Sequence, residues 1–331
     1  MELVCPAGNL PALKAAVDNG ADCVYAGLRN QTNARNFNGL NFDDASLQEG
    51  IAYARRRKVK VFLAINTYPK DDARETWTRS VDRAAAMGVD AIICADPGLM
   101  AYARRAHPGL RLHLSVQASA TNHEAINFYR DHFDIQRAVL PRVLALPQVG
   151  HLIARTPVEI EVFGFGGLCV MVEGRCALSG YATGVSPNCD GACSPAKSVR
   201  WGFGPAGMET RLNDILIDRF AAGERAGYPT ICKGRYEVGG QTYYAIEEPA
   251  SLNTLELLPR FLELGVKAVK IEGRQRGPAY VGQVARVWRA AIDACRRAPQ
   301  SYRVQARWMA ELQAVSEGQS ATLGAYHRPW K

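Results

Sequence analysis

Cys169, Cys176, Cys189, Cys193 and Cys232 place five of the chain's nine cysteines in one stretch. Six residues separate Cys169 from Cys176, sixteen follow before Cys193, and thirty-eight more before Cys232. This is not the paired C-x₂-C spacing of a zinc ribbon, and no histidine lies between His151 and His327 to complete a mixed site. Four thiolates from one loop-rich region suit zinc or a 4Fe–4S cluster, and buried free thiols are the third reading. Wide spacing is no objection. Closing a loop of about forty residues costs roughly 3 kcal/mol beyond the constant, against on the order of 10 kcal/mol returned by a structural metal site. Arg175, Lys197, Arg200, Lys233 and Arg235 adjoin the cysteines in sequence, where cations lower thiol pKa values and offset the charge of a thiolate cluster. Cys189 and Cys193 form a C-x₃-C pair, and spacing leaves open which one serves.

Cys5, Cys23, Cys94 and Cys295 lie in or beside apolar runs and are expected as small core residues. Further chemistry is expected from residues at strand ends: Asn66, Asp96, Gln117, Arg142, Glu161, Glu272 and Arg274. One reading pairs Glu161 with Arg274 and Glu272 with Arg142 as structural ion pairs. The other has Arg142 and Arg274 grip a dicarboxylate through the guanidinium fork, with Glu272, Asn66 and Gln117 beside them. Tyr25, Asn33, Arg35 and Phe37, on or just after the second strand, are candidates to line the same opening, with core or loop packing the expected role of any single one. His113 is expected to be a satisfied structural histidine.

What must position these residues is a repeated strand–helix pattern. Eight short apolar runs read as strands: Leu3–Pro6, Cys23–Gly27, Val59–Ile65, Ala91–Ala95, Leu112–Val116, Ala138–Leu140, Val158–Phe163 and Ala268–Ile271. Amphipathic stretches alternate with them, and Pro278–Arg297 follows the last. Several helices end on glycine just before a strand, as at Gly20, Gly88 and Gly265. No glycine-rich dinucleotide turn follows the first strand, and Gly164-Phe165-Gly166-Gly167 does not supply one. The expected fold is therefore an α/β TIM-type (β/α)₈ barrel. Residues 1–164 would give strands one to seven, 165–265 a cysteine-bearing insertion over the mouth, 266–297 the eighth strand and helix, and 298–331 a tail. The tail carries one expected helix, Ala306–Ser316, and an aromatic, basic end.

Composition is that of an ordinary globular protein, with 47% hydrophobic and 22% charged residues. The net charge of +8 rests on 40 basic and 32 acidic residues. It fits helix ends, acidic small molecules, an acidic partner or nucleic acid alike. The first residues enter a strand pattern at once and no run of eighteen apolar residues occurs, so a cytoplasmic chain without a transmembrane segment is expected.

Glu161-Val162-Phe163-Gly164-Phe165-Gly166-Gly167-Leu168-Cys169, continuing to Gly174-Arg175-Cys176, resembles the signature of peptidase family U32. Pro6-Ala7-Gly8-Asn9, Gly20-Ala21-Asp22-Cys23-Val24-Tyr25 and Lys270-Ile271-Glu272-Gly273-Arg274 match further motifs of that family, and the likeness covers nearly the whole chain. Many members have His where this chain has Phe165; those serving ubiquinone biosynthesis share the apolar choice, and the pattern is most similar to theirs. The resemblance implies a 4Fe–4S cluster on Cys169, Cys176, Cys193 and Cys232, with no place for Cys189. It implies oxygen-independent hydroxylation of the ring of a ubiquinone precursor, with prephenate as hydroxyl source. It also implies a heterodimer with a homologous UbiV-like subunit and a UbiT-like lipid-binding accessory protein. Other members hydroxylate a pyrimidine of RNA and carry additional C-terminal sequence, whereas here 34 residues follow the last barrel helix. RNA hydroxylation and a non-catalytic cluster-bearing scaffold are the alternatives, and no stable nucleic-acid partner is expected. The family name promises proteolysis, but no HExxH helix or Gly-x-Ser-x-Gly elbow is present.

Overall fold

The computed structural model describes residues 1–204, 207–224, 226–318 and 320–328. The end of the tail from Pro329 to Lys331 lies outside them. Seven strands come first: β1 Glu2–Pro6, β2 Cys23–Gly27, β3 Lys60–Ile65, β4 Ala91–Cys94, β5 Leu112–Leu114, β6 Arg137–Val139 and β7 Glu159–Gly167. Each pairs in parallel with the next. After β7 the chain leaves the barrel. It forms a three-stranded antiparallel sheet of β8 Val199–Gly204, β9 Gly207–Leu212 and β10 Ile215–Phe220, then a hairpin of β11 Arg235–Val238 and β12 Gln241–Tyr244. It returns as β13 Ala250–Asn253, which runs antiparallel to the end of β7. β14 Ala268–Ile271 then pairs in parallel with both β7 and β1, which closes an eight-stranded barrel. From the tail, β15 Ser320–Thr322 adds beside β13.

Helices cover the outside because amphipathic segments follow most of the barrel strands. Asn9, Asp43, Asp96 and Asn122 accept from the backbone N–H three residues on, at Ala12, Ser46, Leu99 and Ala125, which starts four of them. Gly88 and Gly265 stop two others in the left-handed conformation. Between strands and helices lies one apolar core, including Trp77, Phe261 and Trp288. A smaller cluster of Val4, Cys23, Tyr25, Phe62, Ala91, Ile93 and Ala268 fills the barrel's inside. Among the described residues, no helix is long and apolar enough to cross a membrane.

Most expected boundaries fall within a few residues, and Pro278–Arg297 is helical as read. β7 runs to Gly167 instead of ending at Phe163, because β13 gives its last three residues a second ladder, Phe165 to Asn253 through Gly167 to Ser251. The β7–β14 register slips near Gly164. A β-carbon there would lie 2.3 Å from Val269 and 2.7 Å from Trp288, so glycine lets the strand bend against its neighbours. Within 165–265, Leu258–Leu264 forms the barrel's own seventh outer helix. The tail helix stops at Gln313, three residues before the expected Ser316.

Candidate metal centre

Cys169, Cys176, Cys193 and Cys232 all line one cavity of about 150 Å³ at the C-terminal ends of the barrel strands. Close backbone approaches bring them there. Cys169 follows directly on β7. The turn that carries the chain to Cys176 passes through Gly174 at φ +77°, where a β-carbon would lie 2.0 Å from the Gln117 carbonyl. The Cys176 carbonyl accepts from Asn188 Nδ2 at 3.0 Å. Gly191, at φ +82°, packs so tightly on the Asn33 carbonyl that a β-carbon would lie 2.1 Å from it, and Asn36 N–H donates to the Gly191 carbonyl. Cys193 is thereby fixed against the loop that follows β2. Cys232 sits in a short 3₁₀ turn, Ile231–Lys233, whose Ile231 carbonyl accepts from Tyr236. Cys189 is half-buried in the neighbouring turn and does not line the cavity, although Asn188 and Gly191 on either side of it do.

The thiols influence one another. Burial pushes Cys193 up to about 11, with Arg35 opposing and the thiols of Cys232, Cys169 and Cys176 adding to the rise. Burial also raises Cys169, against the pull of Arg142 and Arg35, and raises Cys232. Burial thus favours the protonated thiol at Cys169, Cys193 and Cys232, a preference that a bound cation opposes. Four sulfur donors without an imidazole fit a 4Fe–4S core or another thiophilic metal. The sulfurs are distributed around the wall: among the described residues, no three Cys, His, Asp or Glu side chains gather about a single ion position.

Six charged side chains share the wall as three ion pairs. Arg142 Nε donates to Glu173 at 2.9 Å, Arg35 Nε stands 3.4 Å from Glu272, and Lys233 Nζ stands 2.9 Å from Glu317. These are not the expected partners. Glu161 does not meet Arg274: it lies near the start of β7, level with Arg137 and Lys270, and pairs with both inside the barrel. Glu272 does not meet Arg142, because the turn between Cys169 and Cys176 inserts Glu173 beside that arginine. Arg274 is buried outside the cavity lining, donating to Asn33 Oδ1 at 3.1 Å and lying over Tyr25, while its Nε finds no partner among the described residues.

The remaining strand-end residues divide similarly. Gln117 lines the cavity. Asn66 is a brace: its Oδ1 accepts from Ala34 N–H at 3.0 Å and its Nδ2 donates to Ser115, so it holds the loop that carries Arg35. Asp96 caps a helix. Tyr25 points into the barrel and donates to the Ile271 carbonyl. Phe37 packs edge-on against Tyr228 of the cysteine-bearing segment. His113 is buried against Phe62, where burial and Arg137 keep its pKa well below the ordinary value, so the ring is neutral. Of the five cations adjoining cysteines in sequence, Lys233 lines the cavity; Arg175, Lys197 and Arg200 are exposed, and Arg235 pairs with Asp218 and Glu224 instead. Glu173 and Glu317 went unread. Glu173 could have been suspected from its place between two cysteines, whereas Glu317 arrives from the tail without a local signal.

Peptidase family U32 matches residues 8–329 of this chain. The tRNA hydroxylation protein P1 of Bacillus subtilis is 30% identical over 324 residues, 97% of this chain and 70% of its own length. The tRNA hydroxylation protein P of Escherichia coli is 32% identical over 315 residues, 88% of this chain and 68% of its own length. A Methanocaldococcus jannaschii protein called an uncharacterized protease is 34% identical over 298 residues, 88% of this chain and 65% of its own length. The chain thus spans about two thirds of the length of these relatives.

Proposed function

The chain belongs to peptidase family U32, and on that premise we propose that it is the iron–sulfur subunit of an oxygen-independent hydroxylation system. The observation that carries this reading is the meeting of Cys169, Cys176, Cys193 and Cys232 in one cavity at the catalytic end of a (β/α)₈ barrel. These four would hold a 4Fe–4S cluster. When bound, such a cluster supplies one-electron chemistry or a Lewis-acidic iron beside the substrate. Relatives named for tRNA hydroxylation support a hydroxylase-type role.

The substrate proposed is a ubiquinone precursor hydroxylated on its ring, with prephenate as hydroxyl source. The motif pattern, which resembles that of the ubiquinone-biosynthesis protein UbiU, supports this choice. So does a cavity wall that presents Arg35 and Arg142 to an anionic co-substrate, with Gln117 and Glu272 beside them. Asn66 and Arg274, first expected in direct contact with substrate, act in this reading by holding the Arg35 loop. A homologous UbiV-like subunit as heterodimer partner and a UbiT-like lipid-binding protein complete the system. The tRNA hydroxylation proteins among the relatives favour a second reading, hydroxylation of an RNA pyrimidine by the same site.

One strain set decides between them. Deleting the gene should abolish ubiquinone formation without air and leave aerobic formation nearly intact. Wild type should rescue it and Cys176→Ala should not. Normal anaerobic ubiquinone in the deletion strain contradicts the proposal, and loss of hydroxylated nucleosides from its RNA would install the second reading.

A further inference from the structure

The three ion pairs around the cysteine cavity contribute no net charge, yet they are not equivalent. Arg142 and Glu173 are 5% and 4% exposed, and Arg142 also donates to the Gly167 carbonyl and lies 4.3 Å from the Phe163 ring centre. Lys233 and Glu317 are 11% and 36% exposed, so water screens the carboxylate more than the cation. Arg35 and Glu272 form the longest contact, and their side chains are 28% and 18% exposed. Arg35 and Glu272 share the cavity wall with all four cysteines, and the Arg35 loop is bonded to the segment that carries Cys193.

Arg35 is also held in place. Its backbone N–H donates to Asn33 Oδ1, and Asn33 in turn is gripped by the Leu28 carbonyl and by Arg274. Ala34 is tied to Asn66 and Asn36 to the Gly191 carbonyl two residues before Cys193. A cation fixed this way acts as a standing charge. Four thiolates on an oxidised 4Fe–4S core leave net negative charge, and one-electron reduction adds another. A fixed cation stabilises the reduced form and a fixed anion destabilises it.

We propose that Arg35 and Glu272 are opposed second-sphere charges that set the reduction potential of the cluster, Arg35 raising it and Glu272 lowering it. The inference rests on the 4Fe–4S reading above and assigns both residues a positioning role, outside the set of ligands.

The test uses the full chain purified without oxygen, with its partner subunit where the two purify together. Dithionite supplies the electron in a redox titration followed by visible absorption and electron paramagnetic resonance. Arg35→Gln should shift the midpoint negative, Glu272→Gln should shift it positive, and Arg35→Lys and the double Gln variant should stay near wild type, all with unchanged iron content. Single variants that leave the midpoint unmoved, or move it in the same direction, overturn the inference. If Arg35→Gln fails to hold iron, Glu272→Gln alone must still shift the midpoint positive, or the inference falls. Wild-type protein lacking iron ends the cluster reading itself; iron present with unresponsive midpoints ends only this one.

Discussion

Buried charge occurs at both ends of this barrel, and the two ends use it differently. At the floor, Arg137 is 2% exposed and bonds Glu2 at 2.5 Å, Glu159 at 2.8 Å and Glu161 at 3.2 Å, while Glu161 also takes Lys270 at 2.8 Å. Burial works against ionisation of Glu2, but Lys60 and Arg137 override it and hold the carboxyl at about 2. Arg137 meets three carboxylates, Lys270 pairs with Glu161 and lies over the Tyr25 ring, and His113 stays neutral at their side. At the mouth, cations and carboxylates pair one to one around a cavity walled by four thiols. The floor is a polar plug that closes the barrel; the mouth has room, a donor set and ion pairs that border the cavity. Buried ion pairs alone therefore do not mark a site.

Arg137→Met gives the sharpest test of the floor. Removing the guanidinium leaves Glu161, 1% exposed, with Lys270 as its remaining partner. The expected loss is about 3–5 kcal/mol in urea unfolding, with iron content per folded chain unchanged. Loss of iron with stability intact would erase the distinction between the two ends.

A smaller effect should appear at His113. Its pKa is depressed in the native state, so the unfolded chain binds the extra proton first. Stability is therefore full above the unfolded value of about 6.5 and declines as pH falls below it, by at most ~1.4 kcal/mol per pH unit. His113→Gln should unfold in urea with a shallower decline between pH 7.5 and 5.5. An identical slope would mean that the ring titrates normally and the floor is wetter than its burial implies.

The eight strands were legible because their apolar runs are short and evenly punctuated; the set of four cysteines came from the family resemblance, because their spacing alone left zinc, an iron–sulfur cluster and free thiols open. The charge pairs were not legible. Glu161 meets Arg137 and Lys270 because three strands place them in one layer of the barrel, a relation set by strand stagger and invisible in local sequence. Arg35 reaches the cavity through a loop held by Asn66 from another strand end, and Glu317 reaches it from the tail. β7 outran its expected end because its partner β13 lies some eighty residues further along the chain.

Metal analysis of protein made under iron-replete conditions and purified without oxygen tests the central claim most directly. The account predicts about four irons and four sulfides per chain with negligible zinc, retained in Cys189→Ser and lost in Cys193→Ser. Stoichiometric zinc in the wild type, or a cluster that survives Cys193→Ser but not Cys189→Ser, would contradict it.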